Sequence, residues 1–570
     1  MILSGAISLG AYEAGVVSQI AYTMDQWNAQ LPPGRARIMV DVISGASAGA
    51  MTGSMLAAHV MNGGDPIEFV KANFNTWCST DLGFQKQVQM RVGVDVHSFF
   101  SSSNLDAVGK RNFLPKSADS NRIRQNELIF TCALTPLKPI RYSFNALGAD
   151  GQTLEMDAVT HKDGVTFSVG RPGTANQVLE LPARSHRGDS GEHVSSWEEL
   201  LDFAMASGAF PVAWQPMAIS RYAVDYPHVE SAEGNGFIRM KYTDGGVLDN
   251  MPLDRASEVL ENLAGQNPDE DRIYVLIQPD PVDPAQNQTE SAKAPPSRDI
   301  TSPVSMVVSS LIDAYQGQSF ENDLRMSQEV NTRLQVREEY LVDIIRDSIQ
   351  SVPNNQVAAA TAKAKSLLHR LIGDHEDIQA PTFNLDAALD RYMKRRPERK
   401  KVRGVIKELA NDPGRQGLFK LRMMLTDYVS DLHDKSILQI ARIKPKGALP
   451  GHLLGHFGGF IDPTIMIHDF AQGLRDACLW LNTLGADRNW LPKGSEVPCA
   501  ADIPEVAQLL LPGGKAPLTW DEIPQEEKKQ FFALIEARAA KLTADELNAN
   551  RLESLAIEWA ARVGARFLHV

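Results

Sequence analysis

Arg37-Ile-Met-Val-Asp-Val-Ile-Ser-Gly-Ala-Ser-Ala-Gly-Ala-Met-Thr-Gly-Ser-Met-Leu-Ala-Ala-His-Val60 carries three signals in a row. Its first eight residues are short, β-branched and closed by glycine, which predicts a buried strand, and Ala50 to Val60 predicts a helix. Between them stands Gly45-Ala46-Ser47-Ala48-Gly49, a turn in which the backbone reverses too sharply for side chains at the flanking positions. A serine placed there is presented at the carboxyl edge of a sheet, at a helix N-terminus whose partial positive charge favours a developing anion. GxSxG alone arises by chance in a glycine-containing chain, and Gly45, Gly49 and Gly53 at four-residue spacing equally describe close helix packing. The order strand, turn, helix is what favours chemistry at Ser47.

Working outward, Glu127–Leu134 and Asp271–Gln278 also read as buried strands, and the alternation with helical stretches predicts a parallel sheet with crossover helices. From Arg141 to Val169 the residues alternate and are broken by Asp150-Gly151 and Asp163-Gly164, which predicts hairpins at a sheet edge. Pro281–Ser302 has the composition of a linker. Beyond it, helical spacing runs through Val304–Ser351, Asn355–Ile372, Val402–Ala441 and Gln530–Leu568, while strand signals nearly vanish. The expected architecture is therefore an α/β domain over residues 1–285, a linker at 286–302 and a mainly helical accessory domain over 303–570.

The chain has 570 residues, too many for one core. Its 43% hydrophobic and 22% charged residues describe a globular protein, and no apolar run is long enough to span a membrane. The apolar start has no basic flank, the first positive charge being Arg35, so it does not read as a secretory signal. Four cysteines far apart, without CxxC or zinc spacing, suggest neither a disulfide framework nor a metal site and mildly favour a reducing, cytoplasmic compartment. The net charge of −13 argues against nucleic acid. Residues 1–285 hold 21 Lys and Arg against 33 Asp and Glu, the remainder 36 against 37, so attraction to anionic lipid is expected in the second half.

Two further segments bear on chemistry. Ser4-Gly5-Ala6-Ile7-Ser8-Leu9-Gly10 leads into a helix of about residues 11–27; it lacks the Lys and Ser or Thr of a P-loop and the spacing of a dinucleotide fingerprint. What is left is a loop of unobstructed amides able to cradle an oxyanion, or simply a tight strand-to-helix turn. Tyr242-Thr-Asp244-Gly245-Gly246-Val-Leu-Asp-Asn250-Met-Pro252 follows a strand-like stretch. By itself Asp-Gly is a hairpin signal; next to a serine, Asp244 could take the hydroxyl proton.

Together with Ala206-Ser-Gly-Ala-Phe-Pro211, these pieces resemble the patatin-like lipid acyl hydrolases over most of residues 1–280. The resemblance implies a three-layer α/β/α domain in which Ser47 is the nucleophile, Asp244 its base, and backbone amides of the Gly5, Ala6, Ile7, Ser8 to Gly10 loop form the oxyanion hole. Gly45, Gly49, Gly245 and Gly246 would shape the two turns. No metal or organic cofactor is implied, the substrate would be a lipid or other acyl ester, and a peripheral membrane contact is an option. The loop departs from the family, which has a glycine run and a basic residue where Ala6, Ile7 and Leu9 stand here. A carboxylate in water is a poor base for a hydroxyl, so this chemistry requires a desolvated Asp244 with a raised pKa.

In the back half, Phe457-Gly-Gly-Phe-Ile-Asp-Pro and His468–Ala477 look like segments of the extended tails of some larger bacterial patatin-related proteins, read physically as a helix pair packed as core or as a roof over the site. Arg391–Arg403 is densely basic, either a headgroup contact or a solvated face. His452 and His456 read as structural. Two alternatives stay open: a Ser-Asp-His hydrolase using a late histidine such as His433 or His468, and a lipid-binding module without chemistry.

Overall fold

The computed structural model describes residues 1–30, 38–79, 98, 100, 102–113, 127–147, 152–170, 177–181, 193–211, 213–226, 236–263, 272–279, 324–375, 389, 400–430, 432, 438–487, 496–517, 519–530 and 533. The expected linker, most of the basic run at 391–403, His433, the Asp150-Gly151 turn and nearly all of the expected helix at 530–568 lie outside them.

The framework is a ten-stranded mixed sheet in the order β12-β11-β1-β2-β3-β6-β7-β8, with β10 paired to β3 and β9 to β10. Its parallel part comprises β11 (Tyr274–Ile277), β1 (Ile2–Leu3), β2 (Val42–Gly45) and β3 (Glu127–Pro136). β6 (Asp163–Gly170), β7 (Gln177–Leu181) and β8 (His193–Ser195) continue antiparallel. β9 (Met217–Tyr222) and β10 (Phe237–Thr243) form an antiparallel pair, and Thr243 of β10 faces Thr135 of β3. β4 (Ile140–Leu147) and β5 (Thr153–Thr160) are the predicted hairpin, but they make a separate two-stranded sheet. Asp163-Gly164 is no turn; it starts β6.

Helices follow the strands as the glycine-closed turns demand. α1 (Gly10–Gln30) leaves β1, and α2 (Ala48–Asn62) leaves β2. α3 (Pro66–Trp77) starts on an Asp65 cap with proline at its first position, and α4 (Ser102–Phe113) follows. α5 (Trp197–Ser207) starts with a Ser196/Glu199 capping box.

The chain divides into two compact units, and the division corrects the expected boundaries. One unit combines Met1–Pro252, Val275–Phe320 and Arg442–Val570; the other combines Leu253–Tyr274 and Glu321–Ala441. Residues from 442 onward thus belong with the sheet and not with a continuous 303–570 accessory domain. The physical reason is a tight helix crossing. α11 (Pro463–Asp487) lies on α1 so closely that a Cβ on Gly15 would stand 2.1 Å from the Phe470 carbonyl oxygen, and one on Gly473 would stand 2.1 Å from that of Tyr12. Tyr12 Oη also donates to Asp476 at 3.1 Å. The second unit holds α6 (Leu253–Leu263), α7 (Val342–Gln350), α8 (Val357–His375), α9 (Lys400–Glu408) and α10 (Pro413–Val429). Its core is built on Ile345, Ile349, Leu368, Val405 and Phe419, with a buried Arg337–Asp427 ion pair at 2.9 Å. The helical pattern expected through Ala441 stops at Val429, and Ile440–Ile443 is the strand β12.

Candidate active site

Ser47 is the N-cap of α2, where a serine ordinarily accepts a backbone amide; here it makes no such bond. Its hydroxyl instead donates to Asp244 Oδ2 at 2.5 Å, across 197 residues of sequence. The backbone at Ser47 is in the left-handed region (φ +51°), strain that an L-residue tolerates only when its surroundings hold it there. The glycines beside it serve both readings of their spacing. A Cβ on Gly45 would come within 2.6 Å of Ala50 backbone atoms, and one on Gly49 within 2.6 Å of the Leu3 and Ser4 carbonyl oxygens.

Register explains why the two side chains meet. Gly45 faces Cys132 on β3, and farther along the same strand Thr135 faces Thr243. Both turns therefore emerge at one edge of the sheet. Asp244 is 1% exposed; burial raises its pKa from 3.8 to about 7, against the opposing pull of the Ser47 hydroxyl and the Gly246 amide, which donates to Oδ1 at 2.6 Å. Gly245 is required by a different neighbour, since its Cβ would sit 2.0 Å from the Ala133 carbonyl oxygen.

Ala206–Pro211 clamps both halves. The Ser47 amide donates to Ser207 Oγ at 2.9 Å, and Ser207 Oγ donates in turn to the Ala133 carbonyl at 2.7 Å. The Ala209 carbonyl accepts from the Asp244 amide at 2.9 Å and from Thr243 Oγ1 at 2.8 Å. Strand, turn and helix signals locate Ser47 and Asp244, but nothing in local sequence marks Ser207 as a clamp.

Residues 1–257 match the family model of the patatin-like phospholipases. This segment is a patatin-like phospholipase domain by that match. Its central sheet with flanking helices is the family's three-layer α/β/α fold, here joined to a mostly helical C-terminal region. The chain is also 24% identical over 350 residues to the uncharacterized protein y4iI of Sinorhizobium fredii (strain NBRC 101917 / NGR234). That match covers 50% of this chain and 49% of the relative, so the chain spans about half the length of the curated relative it matches. No solved structure matches it.

Within the patatin-like domain, the Gly5–Gly10 loop lies against the same turn. Gly5 is confined by both partners, since a Cβ there would stand 2.3 Å from Asn250 Oδ1 and 2.9 Å from Ser47 Cβ. The Gly5 amide is engaged by the Asn250 carbonyl at 3.0 Å and the Leu9 amide by the Ala6 carbonyl at 2.9 Å, whereas the Ala6, Ile7 and Ser8 amides find no acceptor among the described residues. Ile7 keeps a left-handed backbone (φ +50°) although it is β-branched, the conformation the family's glycines would take without strain. Gly10 is fixed by Trp77, whose ring would lie 2.3 Å from a Cβ there.

Ser47 opens on a small apolar cleft of about 40 Å³ lined by Ile7, Met51, Trp77, Trp214 and Phe460 among others. Asp244 is not in its wall; it sits behind the serine. Phe460 comes from the 457–463 segment, and Phe457 and Phe460 pack on Phe100, while Phe457 also meets Phe210 and Phe460 meets Trp214. Ser8 ties this segment to the loop, donating to the His456 carbonyl at 2.6 Å and accepting from the Gly459 amide at 3.2 Å. Core packing and roofing are therefore one arrangement. No histidine lines the cleft among the described residues; His468 stands beside Asp469 at 3.5 Å, and His452 accepts from the Leu449 amide.

Proposed function

We propose that the protein hydrolyses acyl esters of lipids through a Ser47–Asp244 dyad. The observation that carries this reading is the 2.5 Å hydrogen bond from the Ser47 hydroxyl to a fully buried carboxylate. Burial raises the basicity of Asp244, so that it can accept a proton near neutral pH, which a solvated aspartate does poorly.

Ser47 Oγ attacks the ester carbonyl carbon as its proton passes to Asp244 Oδ2. Negative charge collects on the carbonyl oxygen, toward which the unengaged amides of Ala6 and Ile7, and that of Ala48 at the start of α2, can donate. Collapse of the tetrahedral intermediate breaks the bond to the alcohol, which takes the proton from Asp244. Water then attacks the acyl-serine, giving its proton to Asp244, and release of the fatty acid returns that proton to Ser47. The apolar cleft suits an acyl chain, and a lipid or lipid-like ester is the substrate it favours.

An alkyl fluorophosphonate probe tests the reading. Wild-type protein should label covalently and Ser47→Ala should not, and fatty acid should be released from phosphatidylcholine, triglyceride or p-nitrophenyl esters. Failure of the wild type to label would leave the lipid-binding alternative; loss of activity on His468→Ala or His433→Ala would restore the triad.

A further inference from the structure

The β4–β5 ribbon stands apart from the main sheet and leaves an apolar face uncovered. Tyr142, Leu154 and Met156 are 43%, 52% and 43% exposed. Tyr142 is in register with Ala158, and side chains two apart on a strand share a face, so Tyr142, Leu154, Met156 and Ala158 form one apolar surface. The other face carries Arg141, Glu155 and Asp157 together with Val159, all exposed. An exposed apolar face of this kind marks an interaction surface.

Its place identifies the occupant. β3 runs past Gly45 and ends at Pro136, opposite Tyr242 and beside Asp244, and the ribbon begins immediately after. The Leu137 amide bonds the Lys241 carbonyl at 2.9 Å, and His161 Nδ1, just beyond the ribbon's return, bonds the Pro136 carbonyl at 2.7 Å. Both feet of the ribbon are therefore fixed at the sheet edge that holds Ser47 and Asp244. Around those feet, Lys138, Arg141, Arg239 and Lys241 are all exposed. Leu137, 48% exposed, stands among them. An apolar strip above a basic foot complements a lipid surface, acyl chains against the strip and phosphates against the cations.

We propose that the β4–β5 ribbon docks the protein on a phosphate-bearing lipid surface and so sets the Ser47 edge at the interface. This rests on the lipid hydrolase reading for its purpose, but it is tested without catalysis. In cosedimentation with vesicles of phosphatidylcholine and phosphatidylglycerol in equal parts, the wild type and Ser47→Ala should bind alike. Leu154→Asp combined with Met156→Asp should lower the partition coefficient about tenfold or more, because two charges replace apolar contacts. Lys138→Glu combined with Lys241→Glu should lower it by less and remove most of its salt dependence. Both double variants, at Leu154/Met156 and at Lys138/Lys241, should keep hydrolysis of soluble p-nitrophenyl butyrate, and Ser47→Ala should not. Unchanged vesicle binding by the Leu154/Met156 variant overturns the proposal. So does a wild type that sediments as a dimer and becomes monomeric in that variant with vesicle binding intact, since the face would then belong to a second copy. Vesicle binding through the ribbon by a protein that never labels with fluorophosphonate would refute the hydrolase reading and uphold the surface.

Discussion

Two strand-to-helix turns at the same sheet edge are built alike and end differently. β1 passes through Gly5–Leu9 into α1, and β2 passes through Gly45–Ser47 into α2. Each has one non-glycine residue in the left-handed region, Ile7 and Ser47, and each has a serine bonded to a buried carboxylate. Ser4 donates to Glu13 at 3.3 Å, Ser47 to Asp244 at 2.5 Å. Burial raises both acids, Glu13 well above the usual carboxylate range and Asp244 to about 7. Yet Ser4 is enclosed and bonded to Glu13 of the helix that follows, whose Oε2 has no partner among the described residues, whereas Ser47 faces the cleft and its acid is held by the Gly246 amide. A buried serine–carboxylate pair is thus no signature of chemistry by itself; an open approach to the hydroxyl is what separates the two.

The comparison can be broken most sharply at Ser47. Ser47→Gly should reduce ester hydrolysis by at least about 10⁴-fold. The same change should hold or raise the melting temperature, because glycine adopts the left-handed backbone without strain worth about 1 kcal/mol. A protein destabilised by this change would mean that the strain assigned to the turn is absent.

Asp244→Asn should cost about 10³-fold in kcat. Wild-type kcat/KM should rise with pH through about 7 as the carboxylate ionises, and the variant should lose that rise. Stability carries the opposite sign. The folded-state pKa stands above the unfolded value of 3.8, so the carboxyl's contribution is full below that value and lost as pH rises through about 7. Urea titrations at pH 8 should therefore find Asp244→Asn more stable than the wild type by on the order of 2 kcal/mol. No pH dependence of the difference would refute the buried-carboxylate assignment.

Ser207→Ala removes the acceptor of the Ser47 amide and the bond to Ala133; a loss of about 1–2 kcal/mol in stability and about tenfold in kcat is expected, with KM little changed. Ile7→Gly should keep hydrolysis within about threefold while shifting acyl-chain preference toward bulkier esters, since it clears one wall of the cleft. Ser4→Ala should change kcat by less than about twofold, the cost of one modest hydrogen bond inside an enclosed turn. A large effect at Ser4 would erase the distinction between the two turns.

Much of this was legible in the residues. Glycine-closed β-branched runs marked β2 and β3, and the order of elbow and Asp-Gly-Gly located the two side chains that meet. What periodicity reports is which face of an element is buried, and it is silent on the neighbour. For that reason Ser207 gave no sign of its clamp, and Phe460 could be read as core without its place in the cleft wall. The discontinuous units were hidden for the same cause: α11 meets α1 across more than four hundred residues, through the unremarkable Gly15 and Gly473. Cys478 and Cys499, far apart in sequence, bring their free thiols within hydrogen-bonding reach of each other, and that contact lowers the pKa of Cys499.

The Gly15–Gly473 crossing sets a rule for anyone shortening this chain. A fragment ending near residue 257 would keep every residue of the dyad and still strip α1 of the surface its backbone was shaped to meet. The bare groove along α1 would invite aggregation, and Ser8 would lose its anchors at His456 and Gly459. The patatin-like half is therefore expected to be expressible only with its distant helix supplied, either in cis or as an added peptide covering 453–487.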